Sequence, residues 1–104
     1  MTRSIAFNLE TSGLDPLAGS EIIKICALEL LDNAQIGASF ATLIKPVRPL
    51  TGLVEELTGI SKEMLANAPS FADIGPYFMA FAGDDRLICI NASFDRAFLN
   101  DVLV

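Results

Sequence analysis

Ser4-Ile5-Ala6-Phe7-Asn8-Leu9-Glu10-Thr11-Ser12-Gly13-Leu14-Asp15-Pro16 is the stretch on which the reading of this chain turns. Ser4 to Leu9 is mostly apolar, and Thr11 to Pro16 supplies turn chemistry, so the segment predicts a buried first strand running into a tight loop. Glu10 falls where strand becomes loop. An acidic residue at the carboxyl end of a buried strand stands where open α/β sheets collect their chemistry.

Working outward, Ile22 to Leu31 predicts a second strand, interrupted only by Lys24 and Glu29, with Asp32-Asn33 as a turn. Ile36 to Ile44 predicts a third, ending before Pro46 and Pro49. Three strands so close in sequence are most simply an antiparallel meander. After Pro49 the pattern becomes helical. Glu55 to Leu57 is stopped by Gly59, and Ser61 caps Lys62 to Ala66. Ser70 and Asp73 form a capping-box pattern ahead of Phe71, Ile74, Phe78 and Phe81 at helical spacing, closed by Gly83. Pro76 inside this run predicts a kink or a late start. Arg86 to Ile90 predicts a fourth strand. Asn91 or Ser93 then caps a last helix that carries Phe94, Ala97, Phe98 and Asp101 to Leu103, with Asp95 in its first turn.

The order β-β-β-α-β-α separates strands one and four by a helical crossover, which favours a parallel pair. Glu10 and Asp95 are thereby drawn toward the carboxyl ends of neighbouring strands.

Composition removes most other chemistry. The 104 residues suit one domain, and 52% hydrophobic content predicts a true core. Histidine is absent, which excludes Ser-His-Asp and Cys-His nucleophile pairs, histidine metal ligands and imidazole proton shuttles. Two cysteines are too few for a structural zinc site or a disulfide framework. Carboxylates remain as the main chemical resource. Seven Lys and Arg against thirteen Asp and Glu give a net charge of −6, so no long-range attraction draws the chain to nucleic acid or anionic membranes. Bound divalent cations reverse that sign locally. The cations Arg3, Lys24, Lys45, Arg48, Lys62, Arg86 and Arg96 are scattered and form no basic patch in sequence. No apolar run is long enough to span a membrane, and Asn8 and Glu10 interrupt any signal-peptide core. A cytoplasmic protein with reduced thiols is expected.

Two motifs then resemble one family. Asn8-Leu9-Glu10-Thr11-Ser12-Gly13-Leu14-Asp15-Pro16 resembles the first motif of the DnaQ-like (DEDD) 3′–5′ exonucleases, Asp-x-Glu-Thr-Thr-Gly-Leu, on the ribonuclease H-like fold. Ile90-Asn91-Ala92-Ser93-Phe94-Asp95 resembles their second, His-Asn-Ala-x-Phe-Asp, and Phe98-Leu99-Asn100 continues it. Leu57-Thr58-Gly59-Ile60 and Ala68-Pro69-Ser70-Phe71 are similar to the family's connecting segments. The resemblance implies two-metal phosphodiester hydrolysis with two Mg2+ or Mn2+ ions held by carboxylates, and a nucleic-acid 3′ end as partner. It implies Glu10 and Asp95 as catalytic metal ligands and Asn8 in a third ligand position. Thr11, Gly13, Leu14, Asn91 and Phe94 would line the substrate.

The departures from the pattern are specific. Asn8 replaces the first Asp, Ile90 replaces the motif-two His, and Lys24 stands where a Glu is common. The family's last Asp and its general base, a His or Tyr, fall beyond Val104. The expectation is therefore a single partial exonuclease-like domain over residues 1–104, an α/β ribonuclease H-like mixed sheet truncated before its fifth strand, with weak or no catalysis. A non-catalytic module that binds protein or nucleic acid, and a gene fragment, are the alternatives. Strand four would be an exposed apolar edge, inviting self-association or a partner strand. The family's strand order, which the resemblance implies, would put Cys26 and Cys89 on strands either side of strand one, too far apart for a disulfide, and both are expected to be inert core thiols. Asn8 is open to a second reading as a buried, hydrogen-bonded polar residue.

Overall fold

The computed structural model describes residues 3–32, 35–89 and 95–99. Ser4–Thr11 is β1, Ile22–Leu31 is β2 and Gln35–Leu43 is β3. Gly52–Thr58 (α1), Lys62–Leu65 (α2) and Phe71–Ala82 (α3) follow, then Arg86–Ile88 (β4) and a helical stretch at 95–99 (α4). The strands form one sheet in the order β3-β2-β1-β4. β1 is antiparallel to β2 and parallel to β4, as the crossover logic requires. The mixed sheet and its helices are the α/β arrangement expected. β1 runs two residues past Leu9, so Glu10 and Thr11 are still paired, opposite Lys24 and Ile22, with a register shift between them. The Asp32-Asn33 turn, Ile90, Asn91, Ser93 and Phe94 lie wholly or in part outside the described residues.

Local signals explain the helices. Thr51 caps α1 by accepting from the Val54 N–H, and Gly59 ends it at φ 73°, a conformation favourable only to glycine. α3 opens on the expected capping box, in which Ser70 accepts from the Asp73 N–H and Asp73 accepts from the Ser70 N–H. Pro76 neither delays this helix nor breaks it. It lies on the exposed side, and so does Ala72, whose carbonyl loses its partner there and is left to solvent.

α3 seats on one face of the sheet. Ile5, Phe7 and Leu9 of β1 and Ile25 and Ala27 of β2 meet Ile74, Phe78 and Ala82, with Phe98 and Leu99 of α4 in the same core. Phe78 is 1% exposed and packs against Phe7 and Phe40, at centroid distances of 6.4 and 6.1 Å. A smaller cluster of Ile23, Leu50, Ile60 and Leu65 holds α1 and α2. Arg3 closes the far end. It pairs with Glu29 and Asp85, donates to the Phe81 and Ala82 carbonyls, and stacks over the Phe81 ring.

The opposite face is open among the described residues. Strand register aligns Asn8, Cys26 and Ala41 there, beside Ala6, Leu28 and Ser39, around a shallow cavity of about 480 Å³. This corrects two expectations. Asn8 is exposed rather than buried, and Cys26 is half-buried, because both alternate away from the α3 side. β4 is an edge strand among the described residues, with Leu87 and Ile88 exposed. No helix among them is long and apolar enough to cross a membrane.

Truncating Phe78 to Ala should cost about 3–5 kcal/mol, because the Phe7–Phe40–Phe78 contact cannot collapse around the void. Urea unfolding followed by circular dichroism measures it.

Candidate active site

The site is built at the carboxyl ends of the two central strands. β1 and β4 pair in parallel, Ser4 with Arg86, Ile5 with Leu87 and Ala6 with Ile88, so both strands point toward the same edge. Asn8 and Glu10, two residues apart, share the face turned away from α3. Cys89 follows β4 directly, and Asp95 is the first described residue of α4. Asp95 is 6% exposed and is the only buried charged side chain among the described residues. Phe98 and Leu99, on the same helix, enter the main core and fix α4 against the sheet.

A partner for Asp95 that the sequence did not reveal is Cys89, whose thiol hydrogen-bonds to the carboxyl. Burial lifts the Asp95 carboxyl above the usual aspartate range, and the Cys89 bond works against that rise. Burial, joined by the nearby Asp95 charge, pushes the Cys89 thiol up in turn. Cys89 is free and half-buried, packed against the edge of the main core. Nothing in the spacing of Cys89 and Asp95 marks the pair.

The loop after Glu10 is tightly closed. The Thr11 hydroxyl donates to the Gly13 carbonyl at 2.7 Å. Ser12 and Glu21 bond twice: the Ser12 N–H donates to the Glu21 carbonyl, and the Glu21 N–H to the Ser12 hydroxyl, each at 2.8 Å. Asp15 caps a 3-10 turn at Pro16–Ala18. A Cβ at Gly13 would come within 2.3 Å of the Ser20 hydroxyl oxygen, so a larger residue there would force the Ser20 side chain aside. Leu14 is 85% exposed and projects from the loop. Of the candidate residues, Asn8, Glu10, Thr11, Gly13, Leu14 and Asp95 are therefore placed. Asn91 and Phe94 lie outside the described residues.

Asn8, Glu10 and Asp95 offer hard oxygen donors, which fit a magnesium or manganese ion. Among the described residues no three His, Cys, Asp or Glu side chains form one ligand cluster. The oxygen set thus comprises two carboxylates and one uncharged amide.

Comparison with known proteins adds kinship to this geometry. The RNase_T family model, described as exonuclease, matches residues 5–104. The DNA polymerase III subunit epsilon of Rickettsia conorii is 39% identical over 101 residues, covering 97% of this chain and 44% of that protein. The PolC-type DNA polymerase III of Thermotoga maritima is 40% identical over 95 residues, 91% of this chain and 7% of that protein. Among solved structures, exonuclease X in complex with 5′ overhanging duplex DNA aligns with a TM-score of 0.76 and 26% identity, over 91% of this chain and 52% of that one. Cell-death related nuclease 4 aligns at a TM-score of 0.83 over 99% of this chain and 40% of its own, with 19% identity, a likeness of fold. The chain spans about half, or less, of the length of these proteins.

Without divalent cations, Asp95→Asn should raise the melting temperature at neutral pH, since a charge no longer has to be buried. The folded state holds the Asp95 proton more tightly than the unfolded chain does. The wild type should therefore recover stability relative to the variant as pH falls through the raised folded pKa toward the ordinary value of about 3.9. Thermal melts of both proteins across pH check this.

Proposed function

We propose a function that proceeds from one fact: this chain belongs to the RNase_T family of exonucleases. Exonucleases of this family use divalent metal ions. Residues 1–104 act as one exonuclease-type unit, and its chemistry is 3′–5′ removal of nucleotides by hydrolysis of phosphodiester bonds with two Mg2+ or Mn2+ ions. The observation that carries the reading is the parallel β1–β4 pair, which turns the strand carrying Glu10 and the strand that precedes Asp95 toward one edge of the sheet.

In this reading Glu10 and Asp95 hold the ions, with the Asn8 amide oxygen in a weaker third position. When bound, a divalent ion supplies charge to polarise the scissile phosphodiester. Asp95 meets it from a buried position, held by the thiol of Cys89. Glu10 would reach it from the last paired residues of β1, where Lys24 stands opposite. The closed Thr11–Gly13 turn and the projecting Leu14 position the terminal nucleotide, together with Asn91 and Phe94. The working partner is the 3′ end of a nucleic acid, and the working place is the cytoplasm. One carboxylate short at Asn8, the chain acts weakly.

A second reading is favoured by the same Asn8. A neutral amide there, with Ile90 at the motif-two His position, suits a module that keeps the fold for binding and has given up cleavage.

Titration with Mn2+ followed by electron paramagnetic resonance separates the readings. The wild type should bind Mn2+ in a manner lost in Glu10→Gln and Asp95→Asn, and Asn8→Asp should tighten binding by about 10-fold or more, since it adds a charged ligand. Equal binding in all four proteins would sink the metal-site reading.

The exposed β4 edge extends the proposal to assembly, by self-pairing or by a partner strand. Sedimentation velocity should show mass rising with concentration, and Leu87→Lys should reduce it.

A further inference from the structure

The β1–β2 register sets Glu10 opposite Lys24 and Asn8 opposite Cys26. Ile23 and Ile25, on either side of Lys24, are fully buried, so strand alternation turns Lys24 the other way. Lys24 therefore shares the open face with Asn8 and Glu10. Its partner across β3 is Leu43, which carries no charge. Ala6, Asn8, Cys26, Leu28, Ser39 and Ala41, which continue this face along the three strands, are uncharged as well. Glu10 and Lys24 are left facing one another as an isolated pair of opposite charges.

Lys24 is not engaged elsewhere. The ion pairs among the described residues belong to Arg3, with Glu29 and Asp85. The Glu21 carboxylate, three residues before Lys24, accepts from the Val47 and Arg48 N–H groups. Side chains directly opposite in an antiparallel pair have Cβ atoms about 4.5–5.5 Å apart, so the ammonium reaches the carboxylate by a change of rotamer alone. Both residues are half-buried, which leaves the field between them only partly screened by water.

We propose that Lys24 sets the cation affinity of the candidate site: its ammonium competes with a divalent cation for Glu10 and makes the Glu10 side the weaker half. The inference rests on the exonuclease reading, which makes Glu10 a ligand, and adds to it a residue that determines how tightly the ions are held. With Asn8 neutral, the charges of Glu10 and Lys24 cancel. The β1–β2 side of the site then offers a divalent cation no net attraction. Asp95, buried on α4 beside Cys89, is not part of this pair. A unit positive charge about 7 Å from a divalent ion, in surroundings slightly less polar than water, lowers its affinity about 10-fold by Coulomb's law.

The test follows Mn2+ binding to the full chain by electron paramagnetic resonance, at low and at high sodium chloride. Lys24→Gln removes the charge and should tighten the weaker binding step about 10-fold. Lys24→Glu reverses the charge and should tighten it about 10-fold again. High salt should shrink both gains. Adding Glu10→Gln to Lys24→Gln should erase the gain, because the competition is for that carboxylate. Thermal melts give an independent readout. In EDTA, Lys24→Glu should melt below the wild type, with like charges then directly opposite, and Mn2+ should raise its melting temperature by more than it raises the wild type's. Unchanged Mn2+ affinity in both Lys24 variants would overturn the proposal, and so would a gain that survives Glu10→Gln. Failure of the exonuclease reading looks different: Glu10→Gln and Asp95→Asn, each alone, would then bind Mn2+ as the wild type does. Absence of Mn2+ binding in every protein would defeat both.

Discussion

Three parallel pairings, Ser4 with Arg86, Ile5 with Leu87 and Ala6 with Ile88, are what the rest of this structure depends on. A parallel neighbour cannot be reached by a tight turn, so the chain must leave the sheet after β3, cross over it and return. α3 makes that return, and Phe78 anchors it by burial between Phe7 and Phe40. Arg3 then ties the start of β1 to the end of α3 and to Glu29, closing the crossover from the other side. Everything chemical follows from this arrangement. Without the parallel pair, the strand carrying Asn8 and Glu10 and the strand leading to Asp95 would end at different places.

The electrostatic design is uneven in a useful way. The chain is acidic overall, and its one buried carboxyl among the described residues is Asp95, lifted by desolvation and steadied by Cys89. A buried carboxylate with a raised pKa is costly unless something positive arrives to compensate it.

Much of the fold was legible from residue pattern. β2 spans the segment predicted for it, and α3 begins at its capping box and stops before Gly83, because side-chain-to-backbone bonds at helix ends are local and visible in sequence. β1 extends further than the pattern suggested. Glu10 and Thr11 stay paired because β2 offers them partners, which a one-strand reading cannot supply. Pro76 read as a disruption, yet its carbonyl partner faces solvent, and that orientation is set by how α3 seats on the sheet. Cys26 and Asn8 were misjudged in burial for a related reason: alternation tells which residues share a face, not which face is covered.

By itself the sequence determined the order of elements, the crossover, the lack of imidazole chemistry and the two motifs that carry Glu10 and Asp95, since each rests on contacts between near neighbours or on composition. The tertiary structure alone decided that Cys89 lies beside Asp95 and that Asn8 faces the open side of the sheet. These depend on which elements cover which face of the sheet, and on where α4 seats in the core. Separation along the chain carries no information about distance once the backbone has turned.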